Sequence, residues 1–339
     1  MTTILVTGAA GFIGGALSKR LVKDDDKQII GVDNLNDYYD VELKKCRLRE
    51  ISAAANGNWK MHFGDITDKE LVEVLIERYQ PEVVINLAGQ AGVRYSVENP
   101  VASFENNVIG FFNVLESCRK YNVKHLIYAS SSAVYGENHA PPFKESDTSD
   151  KPESFYAATK KSNELMAESY SKIYGMATTG LRFFTVYGEY GRSDMSYFKF
   201  ADKMANDETI QLYNGGANHR GFTYISDVVE CLMRVIAKPS EGHKVYNVGR
   251  EYPQDVLTVV MFLGLALRQA GVVLPDSKLK LERLPPQKGD VEVTAADMSE
   301  FEREFGYEPK ISLYTGLEKF AKWYAKWRGV KGRCEEHIA

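Results

Sequence analysis

The sequence predicts an α/β fold: a doubly wound parallel sheet with helices on both faces and a smaller C-terminal lobe. Three observations predict it. Short apolar runs alternate with longer amphipathic ones through the first half of the chain, the rhythm of parallel strands joined by crossover helices. The runs are apolar enough for burial on both sides. A glycine-rich turn joins the first run to the first amphipathic segment.

TILVTG (3–8) is the first strand, and FIGGALSKRLVKD places Ile13, Leu17 and Leu21 at helical spacing. QIIGVDN (28–34) and WKMHFGDI (59–66) are the second and third strands, followed by a helix at KELVEVLIERY (69–79). EVVINLAG (82–89) is the fourth strand and a helix covers 100–121. HLIYASS (125–131) is the fifth strand, 155–174 a helix and TTGLRFFTV (178–186) the sixth strand. The rhythm then breaks. GEYGRSDM reads as a loop before a helix at 197–206. FTYISDVVECLMRVI holds a strand and a helix, and HKVYNVG (243–249) is one more sheet strand. VLTVVMFLGLAL (256–267) is too short to span a bilayer and reads as a buried helix. An amphipathic helix follows near 312–328, and KGRCEEHIA reads as a loose tail.

Composition narrows the classes. The 339 residues are 44% hydrophobic and 26% charged, with net charge −4. No general attraction to nucleic acid or an anionic membrane follows. The N-terminus lacks the basic start and apolar core of a secretory signal. Four scattered cysteines fit a reducing cytosol rather than a disulfide scaffold, and no histidine or cysteine spacing suggests a metal site.

TGAAGFIGG sets Gly8, Gly11 and Gly14 between a strand and a helix. Glycine permits the tight turn and close backbone approach, and the helix N-terminus then faces an anion such as a pyrophosphate. Asp33 ends the second strand about twenty residues on, where a carboxylate accepts from ribose hydroxyls and repels a 2′-phosphate. The cofactor expected is therefore NAD in a Rossmann-type sheet. Asp65 and Ile66, at the end of the third strand, stand where an adenine is contacted.

YASSSAVYG carries Ser130, Ser131 and Ser132 at the C-terminal end of the fifth strand, the edge where such sheets bind ligands. On the next helix SFYAATKK sets Tyr156 and Lys160 one turn apart. A free phenol is a poor base near neutrality. A neighbouring ammonium and a positive nicotinamide favour its phenolate. Serine, tyrosine and lysine together make a proton-abstraction site beside a hydride acceptor.

On DNLNDYYD, LAGQAGVRYSVENP, SSSAVYG, YAATKK, LRFFTVYG, GRSDM, FTYISD, VYNVG and QKGDV, the chain resembles the extended short-chain dehydrogenase/reductases. Within them it is similar to nucleotide-sugar epimerases, most of all the UDP-glucuronate 4-epimerases of polysaccharide pathways. The resemblance implies Tyr156 as base, Lys160 as its partner and Ser131 at the sugar O4. It implies that Gly8, Gly11, Phe12, Ile13, Asp33, Asn34, Asp65, Ile66, Leu87, Ala88, Gln90 and Asn106 line NAD, with Phe183 near the nicotinamide. Thr185, Ser132 and Arg94 would meet the sugar and its carboxylate. Met195, Gln211, Tyr213, Arg220, Gln287 and Asp290 would hold the UDP, and a cationic Arg192 or Arg220 suits a diphosphate. The expected NAD-binding part is 1–186 with a returning segment near 222–265. The UDP-sugar lobe is 187–221 with 266–330. A homodimer over the helices near 100–120 and 155–174 is implied as well.

Four positions depart from the family pattern: Ala133 replaces a fourth hydroxyl, Glu189 a proline, Gly221 an aspartate and Gly89 an alanine. They leave a 4-epimerase of neutral or N-acetylated UDP-hexoses as the alternative. A 4,6-dehydratase or a decarboxylase carries an acidic residue where this chain has Ser132. A non-catalytic NAD sensor tends to lose the tyrosine or the lysine, and both are present.

Overall fold

A computed structural model describes residues 1–136, 141–286 and 292–335. Six strands arise in order: β1 (Thr2–Thr7), β2 (Lys27–Asp33), β3 (Trp59–Phe63), β4 (Val83–Asn86), β5 (His125–Ser131) and β6 (Thr178–Phe183). Between them run α1 (Phe12–Leu21), α2 (Val41–Ala54), α3 (Lys69–Tyr79), α4 (Val93–Glu98), α5 (Pro100–Phe104), α6 (Phe111–Lys120) and α7 (Phe155–Tyr174). The later chain adds β7 (Thr185–Tyr187), α8 (Ser196–Ala205), β8 (Ile210–Tyr213), β9 (His219–Arg220), β10 (Phe222–Tyr224), α9 (Ile225–Ala237) and β11 (His243–Val248). After β12 (Gln254–Asp255) come α10 (Val256–Gln269), β13 (Leu281–Leu284), β14 (Val293–Thr294), α11 (Ser299–Phe305) and α12 (Leu313–Glu335).

The main sheet has seven strands in the order β11-β6-β5-β4-β1-β2-β3, every pair parallel. The order reverses direction between β1 and β4, and the crevice beyond the carboxyl ends there is where a doubly wound sheet takes a ligand. Both faces are covered. Ile4 and Val6 pack into one core cluster and Leu5, between them, into the other, as the two-residue period of a strand requires.

Several elements differ from the sequence reading. The apolar runs at 59–66 and 82–89 stop at Phe63 and Asn86, and their last residues are loops over the crevice. The run 178–186 breaks at Phe184: β6 stays in the main sheet while β7 leaves it to pair with β10. The helix expected at 100–121 is interrupted by a π-turn at Glu105–Gly110. Helix α2 escapes the periodicity because Lys44 and Arg47 share its buried side with Leu43 and Ile51. Helix α10 is amphipathic rather than buried, with Met261 53% and Leu265 43% exposed. Helix α12 continues to Glu335, through the start of the expected tail. Among the described residues no helix is long and apolar enough to cross a membrane.

Candidate active site

The crevice holds a cavity of about 280 Å³. Its walls begin with the turn between β1 and α1. Gly8 has φ +68°, and a Cβ there would lie 2.7 Å from the Ala88 amide nitrogen. The loops after β1 and β4 therefore close on each other only because Gly8 has no side chain. Gly14 is needed for the same compactness, since its Cβ would sit 2.1 Å from the Gly8 carbonyl oxygen. Helix α1 starts at Gly11 without a side-chain cap, so its first amide groups face the cavity as donors for an anion.

Asp33 closes the far end. Its two carboxylate oxygens accept from the amides of Ala10 (3.0 Å) and Leu35 (2.9 Å). Asn34 donates to Asp65 at 2.6 Å. Burial pushes the Asp65 carboxyl up, but bonds from Thr67 and Asn34 outweigh it and leave the group lowered. Lys44 ties the following loop by donating to the carbonyl (2.7 Å) and side-chain (2.6 Å) oxygens of Asn36.

The three serines at the end of β5 diverge. Ser130 turns into the core and donates to Glu164 at 2.7 Å, where Glu164 pairs with buried Arg182 at 2.8 Å. Ser131 lines the cavity. Its oxygen accepts from the Ala133 amide at 3.2 Å, and its hydroxyl pulls the Tyr156 phenol down. Ser132 opens a short 3₁₀ turn, Ser132–Tyr135.

Tyr156 and Lys160 lie on the first turns of α7, which Ser154 caps by accepting from the Ala157 amide at 3.1 Å. The Tyr156 amide donates to Ser96 at 3.0 Å. Burial holds the Tyr156 phenol above its ordinary value, while the Ser131 hydroxyl and the charge of Arg192 pull it down. Lys160 is buried, donates to the Ala129 carbonyl at 3.0 Å and sits 5.9 Å from the Tyr156 ring centre. Burial lowers its ammonium to about 8.

Every residue expected to touch the cofactor lines this one cavity: Gly8, Gly11, Phe12, Ile13, Gly14, Asp33, Asn34, Asp65, Ile66, Leu87, Ala88, Gln90, Asn106, Tyr156, Lys160 and Phe183. Ser131, Arg192 and Met195 join them. Arg192 is paired with Asp194 at 2.6 Å and lies 5.6 Å from the Tyr38 ring. The other expected substrate residues stand outside this lining. Thr185 opens β7 between Phe184 and Val186, which do line it. Arg94 lies over the Tyr213 ring at 5.6 Å, and Gln211 donates to Glu282 at 3.0 Å. Arg220 donates to the carbonyls of His219 and Glu292. Gln287 and Asp290 fall outside the described residues.

Some lining residues escape the sequence reading. Tyr38, Tyr39 and Lys44 belong to the segment after Asp33; for Lys44 the signal was a charged side chain on the buried face of α2. Asn107, beside the expected Asn106, is buried and holds both backbone groups of Gln90, at 2.8 and 2.9 Å. Two of the four departures have local causes. A Cβ at Gly89 would meet the Asn107 side-chain oxygen at 2.8 Å, and one at Gly221 the Arg250 carbonyl at 2.6 Å.

A family model described as the NAD dependent epimerase/dehydratase family matches residues 4–249. Protein CapI of Staphylococcus aureus is 42% identical over 341 residues, covering 96% of this chain and 98% of that protein. UDP-glucuronate 4-epimerase 2 of Arabidopsis thaliana is 42% identical over 95% of this chain and 75% of its own length. The solved structure of UDP-glucuronic acid 4-epimerase from Bacillus cereus, in complex with UDP-glucuronic acid and NAD, superposes with TM-score 0.87. It is 28% identical, covering 96% of this chain and all of that one.

Proposed function

Because the chain belongs to the NAD-dependent epimerase/dehydratase family, we infer that it is an NAD-dependent 4-epimerase interconverting UDP-glucuronate and UDP-galacturonate. The observation that carries this is the convergence of Ser131, Tyr156 and Lys160 in the cavity that also holds the glycine turn.

The residues fit NAD. The uncapped start of α1 suits a pyrophosphate, Asp33 a ribose diol and Lys160 a second ribose. Bound there, NAD supplies the hydride acceptor and donor for C4 of the sugar. Tyr156 takes the proton of the 4-hydroxyl and returns it later. Ser131 bonds the phenol and orients the sugar oxygen. Arg192 adds positive potential that opposes the burial of the phenolate. The sugar exposes its second face by turning about its diphosphate link, and no net redox change results. Ser132 and Thr185 hold the carboxylate so that the bond to it stays out of line with the C4 ketone, which suppresses loss of CO₂.

The test is incubation with NAD and UDP-glucuronate, with chromatographic detection of UDP-galacturonate. Turnover of UDP-glucose or UDP-N-acetylglucosamine instead establishes the neutral-sugar reading. One observation favours that reading: Ala133 places no hydroxyl after Ser132. We further infer a homodimer built on the α4–α7 surface, where Val97, Val101, Phe104, Phe112, Leu165 and Ile173 are exposed. Light scattering at the monomer mass would contradict it.

A further inference from the structure

A second cavity, about 820 Å³ in volume, lies behind the active-site wall between α1, the Glu189–Tyr190 turn, α9 and α12. Its size falls within the range of small-molecule sites. Seven cationic side chains line it against three carboxylates, although the chain as a whole carries −4. Lys23, Lys322 and Lys326 form no ion pair among the described residues. An aromatic surface accompanies the charge: Trp323 packs 5.0 Å from the Tyr190 ring and stacks on Trp327 at 6.0 Å. Lysines beside an aromatic platform suit a ligand with a planar ring and phosphate groups.

We propose that this cavity is a second, regulatory site for a nucleotide. Its wall is connected to the active site. Phe12 lines both cavities. Arg47 donates to the Tyr190 carbonyl at 2.9 and 2.6 Å, to the Gly191 carbonyl at 3.1 Å and to the Ala10 carbonyl of the glycine turn at 2.8 Å. Arg192 follows directly and lines the first cavity. Glu189, the unexpected residue at a proline position, binds the Tyr224 hydroxyl, over whose ring Lys319 sits at 5.3 Å. A nucleotide seated on Tyr190 and Trp323 therefore acts on the backbone that positions Arg192.

The test is equilibrium dialysis of ADP against the full chain, with saturating NAD and UDP-glucuronate present to fill the first cavity. One ADP per chain is expected to bind, quenching tryptophan emission. Lys322→Glu with Lys326→Glu, both exposed, should weaken binding at least tenfold, and the double arginine variant should restore it. Trp323→Phe should remove the quench. Turnover of UDP-glucuronate without ADP should be unchanged in the lysine variants, and the KM for UDP-glucuronate should change at least twofold when ADP is added to the wild type. No saturable binding, binding indifferent to charge reversal, a KM unmoved by ADP, or inorganic phosphate binding as tightly as ADP would each overturn the proposal.

Discussion

Asn107 donates to the Thr159 hydroxyl at 3.1 Å, and Thr159 in turn donates to the Tyr156 carbonyl at 2.7 Å. The π-turn is thus linked to the backbone of the proposed base. Asn107→Ala strands the two backbone groups of Gln90 as well, a loss of about 1–3 kcal/mol for buried unpaired groups. We expect a lower melting temperature and about tenfold lower kcat. Calorimetry and initial rates check this, and unchanged values in both would show that the link is idle.

Tyr156→Phe removes the proton acceptor and leaves the ring packing. Turnover should fall about 10²–10⁴-fold, the usual worth of a positioned acid–base group. NAD binding, followed by titration calorimetry, should stay within a factor of a few. A variant retaining a tenth of wild-type turnover would assign proton transfer elsewhere.

Lys160 shows a stability effect with a defined sign. Its folded value of about 8 lies below the ordinary 10.5, so burying the charge costs stability. That cost is full below about pH 8 and fades as pH rises towards 10.5, where the unfolded chain also loses its proton. The Lys160→Met variant should be inactive. Its stability relative to wild type should decline between pH 8 and 10, as read by denaturant titration at each pH. A pH-independent difference would mean that burial leaves the Lys160 ammonium at its ordinary value.

Thr185→Val should release UDP-pentose alongside UDP-hexuronates, because the carboxylate loses one of its proposed holders. Mass spectrometry of the products decides it. Hexuronates alone would remove Thr185 from that role.

Glu164 and Arg182 pair at 2.8 Å with both side chains only 4% exposed. Glu164→Ala leaves a buried guanidinium unpaired and Ser130 without its acceptor. The expected loss is about 3–5 kcal/mol, measured by urea unfolding. A loss under 1 kcal/mol would show that water reaches Arg182.

What could be read from the sequence was what local pattern encodes. Gly8, Gly11, Gly14, Asp33, Tyr156 and Lys160 stand at strand ends and helix starts, and the structure gathers them in one cavity. Asn107 was not distinguishable from Asn106, because the π-turn that buries Asn107 beside Gln90 while Asn106 lines the cavity leaves no local pattern. Arg47 was hidden because its partners, Tyr190 and Ala10, are distant in the chain. The break at Phe184 was equally invisible: LRFFTV is apolar throughout, and only the pairing of Phe184 with the Val248 carbonyl at 3.0 Å shows where the strand leaves the sheet.

The place of β11 at the outer edge, beside β6, has a bearing on synthesis. While the chain is being made, β6 has emerged long before its neighbour. Until His243–Val248 leaves the ribosome, β6 offers a bare row of amide and carbonyl groups to any passing strand. The nascent protein is therefore open to wrong pairing at that edge during translation of the segment between them. A ribosome stalled there would hold an incomplete sheet, whatever the quality of its glycine turn.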